Sequence, residues 1–198
     1  MYLWEDPRNS KNREIGTYNQ ECSIDRFKFF RGQRFSKGEN EGKFIFEFEM
    51  SKSEINQYDS LLNNSGSPLV NQKIREILIC LAPDDVQFFP AKVTCSDGDV
   101  EGYFMVNIVP RLRGVDHVSS VYSSLDLPDG AKMMSSIKRL VLKEEFMGGH
   151  HVVREGETLH IVVSQKIYDA FQAAKIKGVR LVTPDEYYDG LNALYRRG

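Results

Sequence analysis

A chain of 198 residues is long enough to bury a sizeable core and short enough to be one domain. Apolar residues at 41% and charged residues at 27% match ordinary folded proteins and exclude collagen-like, disordered and membrane-spanning classes. With 26 Lys and Arg against 28 Asp and Glu, the formal charge of -2 gives no broad attraction to nucleic acid or anionic lipid, so any charged partner must meet a local patch.

The opening MYLWEDPRNSKNRE is charged by its fifth residue and holds no apolar run of secretory length. No later run reaches membrane-spanning length. Cys22, Cys80 and Cys95 are odd in number and widely spaced, which suits free thiols in a reducing compartment better than a disulfide framework or a paired metal site. A cytoplasmic location is expected, with no membrane partner.

The N-terminal third reads as loops around short strands. RFKFFRGQR, Arg26 to Arg34, interleaves Arg and Lys with Phe. This is the chemistry of a stacking platform for nucleic acid, but one short stretch in a mildly acidic chain reads better as half of a strand's core face. In KFIFEFEM, Phe44, Phe46, Phe48 and Met50 alternate with polar or lesser apolar positions, the period of a strand with one buried face in an antiparallel sheet. Residues 51 to 66 hold a short helix and end in the loop signal NNSGS.

Ser67 followed by Pro68 predicts an N-cap with proline at the first helical position, opening an amphipathic helix that carries Val70, Ile74, Ile77, Leu78 and Leu81 and stops before Pro83. VQFFPAKVTC and VEGYFMVNIV, joined through SDGD, predict a hairpin, with Pro90 marking an edge or a bulge. Residues 110 to 135 show no regular pattern. SIKRLVL and HHVVRE read as strands, and EGET turns the chain into HIVV.

Next comes strand, helix, strand and helix. Ser164 is placed to cap a helix whose stripe is Ile167, Ala170, Phe171 and Ala174, with Gly178 at the left-handed C-terminal position. VRLV follows, and TPDE is a capping box, Thr183 with Glu186, opening a last helix that turns Tyr187, Leu191 and Leu194 inward. The expected fold is α+β: a mostly antiparallel sheet with amphipathic helices packed against it, including this C-terminal strand-helix-strand-helix unit.

Candidate chemical groups are few. His150 and His151 are adjacent, so on a strand they point to opposite faces and do not share a metal. Asp116, His117 and Ser119 are the residue types of a hydrolytic triad without a nucleophile turn, and Ser164 lacks the flanking glycines of a nucleophile elbow. No glycine-rich phosphate loop is present. No catalytic, cofactor or metal site is therefore assigned. The acidic residues Asp84, Asp85, Asp97, Asp99 and Glu101 face Lys92 alone across residues 83 to 102, a local charge of about -4 at the two ends of the predicted hairpin.

The succession PLVNQKIREIL, DDVQFFPAKV, YFMVNIVPRLRGVDHVSS and HHVVREGETLHIVVSQKIYDAFQAAKIKGVRLVTPDEY resembles the bacterial polymorphic-toxin immunity protein family 11, formerly a domain of unknown function. The resemblance is strongest from 150 to 187, where Ile161 to Ser164, Gly178 to Arg180 and Pro184 to Glu186 carry it. It is weaker from 67 to 119 and covers about two-thirds of the chain. It implies a non-enzymatic protein that binds a cognate toxin and protects the producing cell. On that basis the chain is a single domain, 1–198, with a family-like core at 63–190 and a less legible part at 1–62. The five acidic residues become candidate toxin contacts. Two other readings stay open: a small-ligand-binding domain or enzyme with a pocket near residues 110 to 135, and a subunit of a larger assembly.

Overall fold

The computed structural model describes residues 1–7, 10–36, 44–126 and 132–187. Along them run β1 (Tyr2–Glu5), β2 (Thr17–Tyr18), β3 (Ile45–Glu47), α1 (Lys52–Ile55), β4 (Ser60–Leu61), β5 (Leu69–Asn71), α2 (Gln72–Leu81) and β6 (Val86–Cys95). Then follow β7 (Gly98–Ile108), β8 (Arg111–Leu112), β9 (Val121–Asp126), β10 (Lys132–Arg139), β11 (Val152–Glu155), β12 (Ile161–Val163), α3 (Gln165–Ala173) and β13 (Arg180–Val182).

The fold is α+β, with three sheets. The largest has the order β2-β3-β6-β7-β5-β4, the second β13-β1-β12-β11-β8, and β9 with β10 forms a separate ribbon. Most pairings are antiparallel, but β3 lies parallel to β6 and β8 parallel to β11. Period-2 alternation gives each large sheet two buried faces. On one side of the six-stranded sheet, Phe46, Leu69, Phe89, Val93 and Met105 pack with Phe29, Phe44, Phe48 and Met50. On the other, Val70, Val86, Val106 and Ile108 meet α2, α3 and Val152, Ile161 and Val163 of the second sheet. The far face of that second sheet, Leu3, Val153, Val162 and Val182, is covered by Ile137, Leu140 and Leu142.

The expected strand through Phe44, Phe46, Phe48 and Met50, the short helix after it, the β6–β7 hairpin and the β12-α3-β13 unit all form. Pro90 sits where β6 pairs only with β7, beyond the three residues that β3 reaches, and a register shift follows at Ala91 to Val93. It needs no ladder donor there.

Other expectations are corrected. The helix expected to be capped by Ser67 begins four residues later, capped by Asn71, because Leu69–Asn71 pair with β7 first and the Asn71 side chain then accepts from the Lys73 and Ile74 N–H groups. Arg26–Phe30 is a turn of 3-10 helix, not a strand, capped by Asp25 through the Phe27 N–H. Only Phe29 of its three phenylalanines is fully buried, and Phe27 is exposed. Residues 110 to 135 contain β8, β9 and the start of β10; their alternation is masked by serines that face solvent. The α3 terminus is closed at Lys175, in the left-handed conformation, three residues before Gly178, with Ile176 N–H bonded to Phe171 O and Lys175 N–H to Gln172 O. Gly178, also at positive φ, serves a close approach instead: a β-carbon there would overlap the Ser60 carbonyl. Ser164 does occupy the N-cap, but its hydroxyl pairs with His151 Nδ1 at 3.1 Å and leaves the helix N–H groups alone. Thr183 and Glu186 form the expected reciprocal contacts around a short 3-10 turn, and the helix through Leu191 and Leu194 lies outside the described residues.

Candidate functional site

The five acidic residues do not form one patch. From Val86 to Cys95 the strand runs roughly 30 Å at ~3.3 Å per residue, so Asp84 and Asp85 lie far from Asp97, Asp99 and Glu101. That exceeds three screening lengths of about 8 Å at physiological salt. Asp84 is exposed, and its carbonyl receives Arg34 Nη2 at 2.8 Å. Asp85 is only 4% exposed. Its Oδ1 meets His150 Nδ1 at 2.6 Å and its Oδ2 accepts the His151 and Val152 N–H groups at 2.7 and 3.0 Å. It ties the start of β6 to the start of β11.

At the hairpin turn, Asp97, Asp99 and Glu101 are all exposed. Asp97 Oδ1 accepts the Lys52 N–H at 2.8 Å, and Asp99 pairs with Lys92 Nζ at 3.0 Å and with the Thr94 hydroxyl. Lys92, then Thr94, hold the Asp99 carboxyl below its usual range, and Lys52 adds to this. Three carboxylates against Lys52 and Lys92 leave the tip near -1. The count along the sequence missed Lys52 because folding brings it from α1. Beside the tip is an open recess of about 560 Å³ lined by Pro90, Lys92, Asp99, Val100, Glu101 and Phe104.

The segment around Asp116 is knit to the β11–β12 turn. Asp116 Oδ1 accepts from the Val118 and Ser119 N–H groups, so its carboxylate serves its own turn. Those bonds, with the Ser119 hydroxyl first, hold its carboxyl below the usual range. His117 lies between Tyr122 Oη at 2.7 Å from Nδ1 and Glu157 Oε2 at 3.0 Å from Nε2. Among the described residues, the His117 ring makes no hydrogen bond to Asp116 or Ser119. Glu155, fully buried, accepts the N–H groups of Gly114, Glu157 and Thr158 and the Thr158 hydroxyl. Burial works against its charge, yet those bonds outweigh it and keep the carboxyl below its usual range. Among the described residues, no group of three or more His, Cys, Asp or Glu is placed to share a metal ion.

A cleft of about 270 Å³ opens elsewhere, between the end of β1, the loop from β4 to β5, and the β11–β12 turn. Its walls carry Glu5, Asp6, Ser67, Arg154 and His160. Arg154 is 2% exposed, packs on the Phe30 ring and donates to Leu159 O, Gly66 O and Ser67 Oγ. Gly66 has φ +76°, and a β-carbon there would come within 2.6 Å of Phe30, so the loop needs glycine to present its carbonyl to the guanidinium. Sequence reading assigned none of these residues to a site: they come from three distant segments, and Ser67 was read only as a helix cap. A lone arginine in the apolar alternation of β11 was the one available signal. The pocket expected near residues 110 to 135 is not this cleft, which none of those residues lines.

The fold and these clusters together define an α+β protein whose polar side chains largely bind turns and sheet edges to one another. The chain belongs to the Imm11 immunity protein family, whose model matches residues 2–184. The match takes in the first 62 residues, where no motif was legible, in keeping with β1 lying inside the second sheet. Among curated proteins, none matches the chain. Among the described residues no helix is long and apolar enough to cross a membrane.

Proposed function

We propose that this chain binds a cognate toxin protein in the cytoplasm of the producing cell and neutralises it by occupation, without catalysis, cofactor or nucleic acid. The observation that carries the reading is membership of an immunity family over residues 2–184. The rigid scaffold supports it, since a binder needs a preorganised surface and no activated nucleophile. An interface of ordinary size, about 1,200 to 2,000 Å² in total, is expected.

The contact we propose centres on the hairpin tip, with Asp97, Asp99 and Glu101 as a charged rim and Pro90, Val100 and Phe104 as the apolar floor beside it. Asp84 stands too far away to act with them, and Asp85 is engaged inside the fold. Because Lys52 and Lys92 offset most of the charge and Lys92 pairs with Asp99, Asp97 and Glu101, which join no ion pair among the described residues, carry the larger part of any steering.

The test has two stages. Co-expression with toxins encoded beside this chain should recover a stable complex; recovery of none, with every neighbouring toxin tried, removes the reading. With a complex in hand, changing Asp97, Asp99 and Glu101 to Asn, Asn and Gln should slow association at low salt and change dissociation less. An unchanged association rate moves the contact off this tip.

A further inference from the structure

The β1 cleft holds a buried cation that no carboxylate among the described residues pairs with. Three neutral oxygens receive the Arg154 guanidinium, at 2.9 Å from Leu159, 3.2 Å from Gly66 and 3.4 Å from Ser67. They position the charge without balancing it. Its Nε–H has no acceptor, although the side chain lies in the cleft wall and is almost wholly withdrawn from solvent. Buried guanidinium groups are ordinarily paired with a carboxylate, because an unpaired one keeps its desolvation cost. Burial first, and repulsion from the Arg111 cation second, work against the Arg154 charge.

Opposite charge lines the same cleft. Glu5 and Asp6 stand side by side on it; Glu5 is paired with His160 at 3.2 Å, while Asp6 joins no ion pair among the described residues. Partial desolvation first, and Glu5 second, push the Asp6 carboxyl up to about 6, although the residue stays exposed at the cleft mouth. Neither carboxylate comes within ion-pair distance of Arg154. The cleft thus carries a cation without a counter-ion and carboxylates that are not fully paired, and can take up an anion and a cation together. Trp4, Leu61, Pro68 and Ile161 also line the cleft and offer an apolar side-chain seat.

We propose that this cleft binds a free α-amino acid with an apolar side chain, its carboxylate on Arg154 and its ammonium toward Glu5 and Asp6. The two charges sit on one carbon only in a free amino acid; a peptide end carries one or the other. The volume agrees, lying just under the roughly 300 Å³ at which pockets for drug-sized ligands begin. This site stands apart from the hairpin tip, so its failure would leave toxin binding untouched, and the reverse.

Calorimetric titration of the intact protein with L-leucine is the test. Saturable one-to-one binding is expected, weakened at least about tenfold by L-leucinamide in place of L-leucine and equally by N-acetyl-L-leucine, since each loses one charge-assisted contact. Asp6→Asn, at the exposed mouth, and Arg154→Lys should weaken L-leucine binding by a similar factor. The two analogues act on the unaltered protein, so they decide the matter even if Arg154→Lys fails to fold. No saturable heat up to on the order of 10 mM, tenfold beyond a millimolar dissociation constant, overturns the proposal. Undiminished binding of either analogue, or an Asp6→Asn protein that binds L-leucine as before, overturns it too.

Discussion

The carbonyl oxygen of Ser60 occupies the place that a side chain on Gly178 would need. The contact joins β4 to the segment entering β13, and it is reinforced where the Asp59 and Ser60 N–H groups both donate to Lys177 O at 3.0 Å. Gly178→Ala adds a β-carbon against fixed backbone at φ +90°, where L residues are strained. We expect a loss of about 2 to 4 kcal/mol, read as a lower urea midpoint with little change in slope.

Asp85 belongs to the frame and not to the surface. Asp85→Ala removes the acceptor of two backbone N–H groups and the partner of His150, and should lower stability by about 2 to 4 kcal/mol. In native buffer the folded fraction should still bind toxin with unchanged kinetics. A stability change under about 0.5 kcal/mol, the range of ordinary surface substitutions, would show that the carboxylate is not holding β11.

Asn71→Ala and Ser67→Ala separate two accounts of where α2 begins. Loss of the Asn71 side chain should cost about 1 kcal/mol or more as a lost cap, and helical amide exchange at Lys73 and Ile74 should accelerate. Ser67→Ala should leave exchange at those two amides unchanged, since its hydroxyl faces Arg154.

Glu155 makes stability depend on pH in a stated direction. Its folded carboxyl lies below the ordinary range, so the native state binds its proton less readily than the unfolded chain. The contribution is complete above the unfolded value of about 4.3 and is lost as pH falls through the lower folded value. Glu155→Gln should therefore cost about 1.5 to 3 kcal/mol at pH 7, and the gap from the parent protein should narrow only in acid. A gap that stays constant from pH 7 to about pH 3 would sink this account.

The parts of the fold that were legible in the sequence are those specified locally. Phe44 to Met50 alternate over their own neighbours, and β6, β7 and α3 each carry their period and stop signals within a dozen residues. What stayed illegible depends on distant partners. Leu69–Asn71 become a strand because β7 is there to pair with, which overrides the helix signal of Ser67 and Pro68. In β9, Val121 and Leu125 alternate with Ser123 on the exposed side, so the usual contrast between apolar core and polar surface is absent. The same holds for the sites. Lys52 and the cleft around Arg154 exist only once segments far apart in the chain have met, whereas the acidic residues of the hairpin tip could be read directly.

That distance also has a temporal side. Tyr2, Leu3 and Trp4 pair with Val163, Val162 and Ile161, and Leu3 and Trp4 pair on their other edge with Val182 and Leu181. β1 is therefore synthesised long before the strands it pairs with, and loop closure of this length slows folding. At roughly 5 to 20 residues per second, a ribosome needs about ten to thirty seconds to supply β12 and β13 after β1 has emerged. During that interval the six-stranded sheet, whose strands end at Ile108, can assemble and display the hairpin tip while the second sheet is still incomplete.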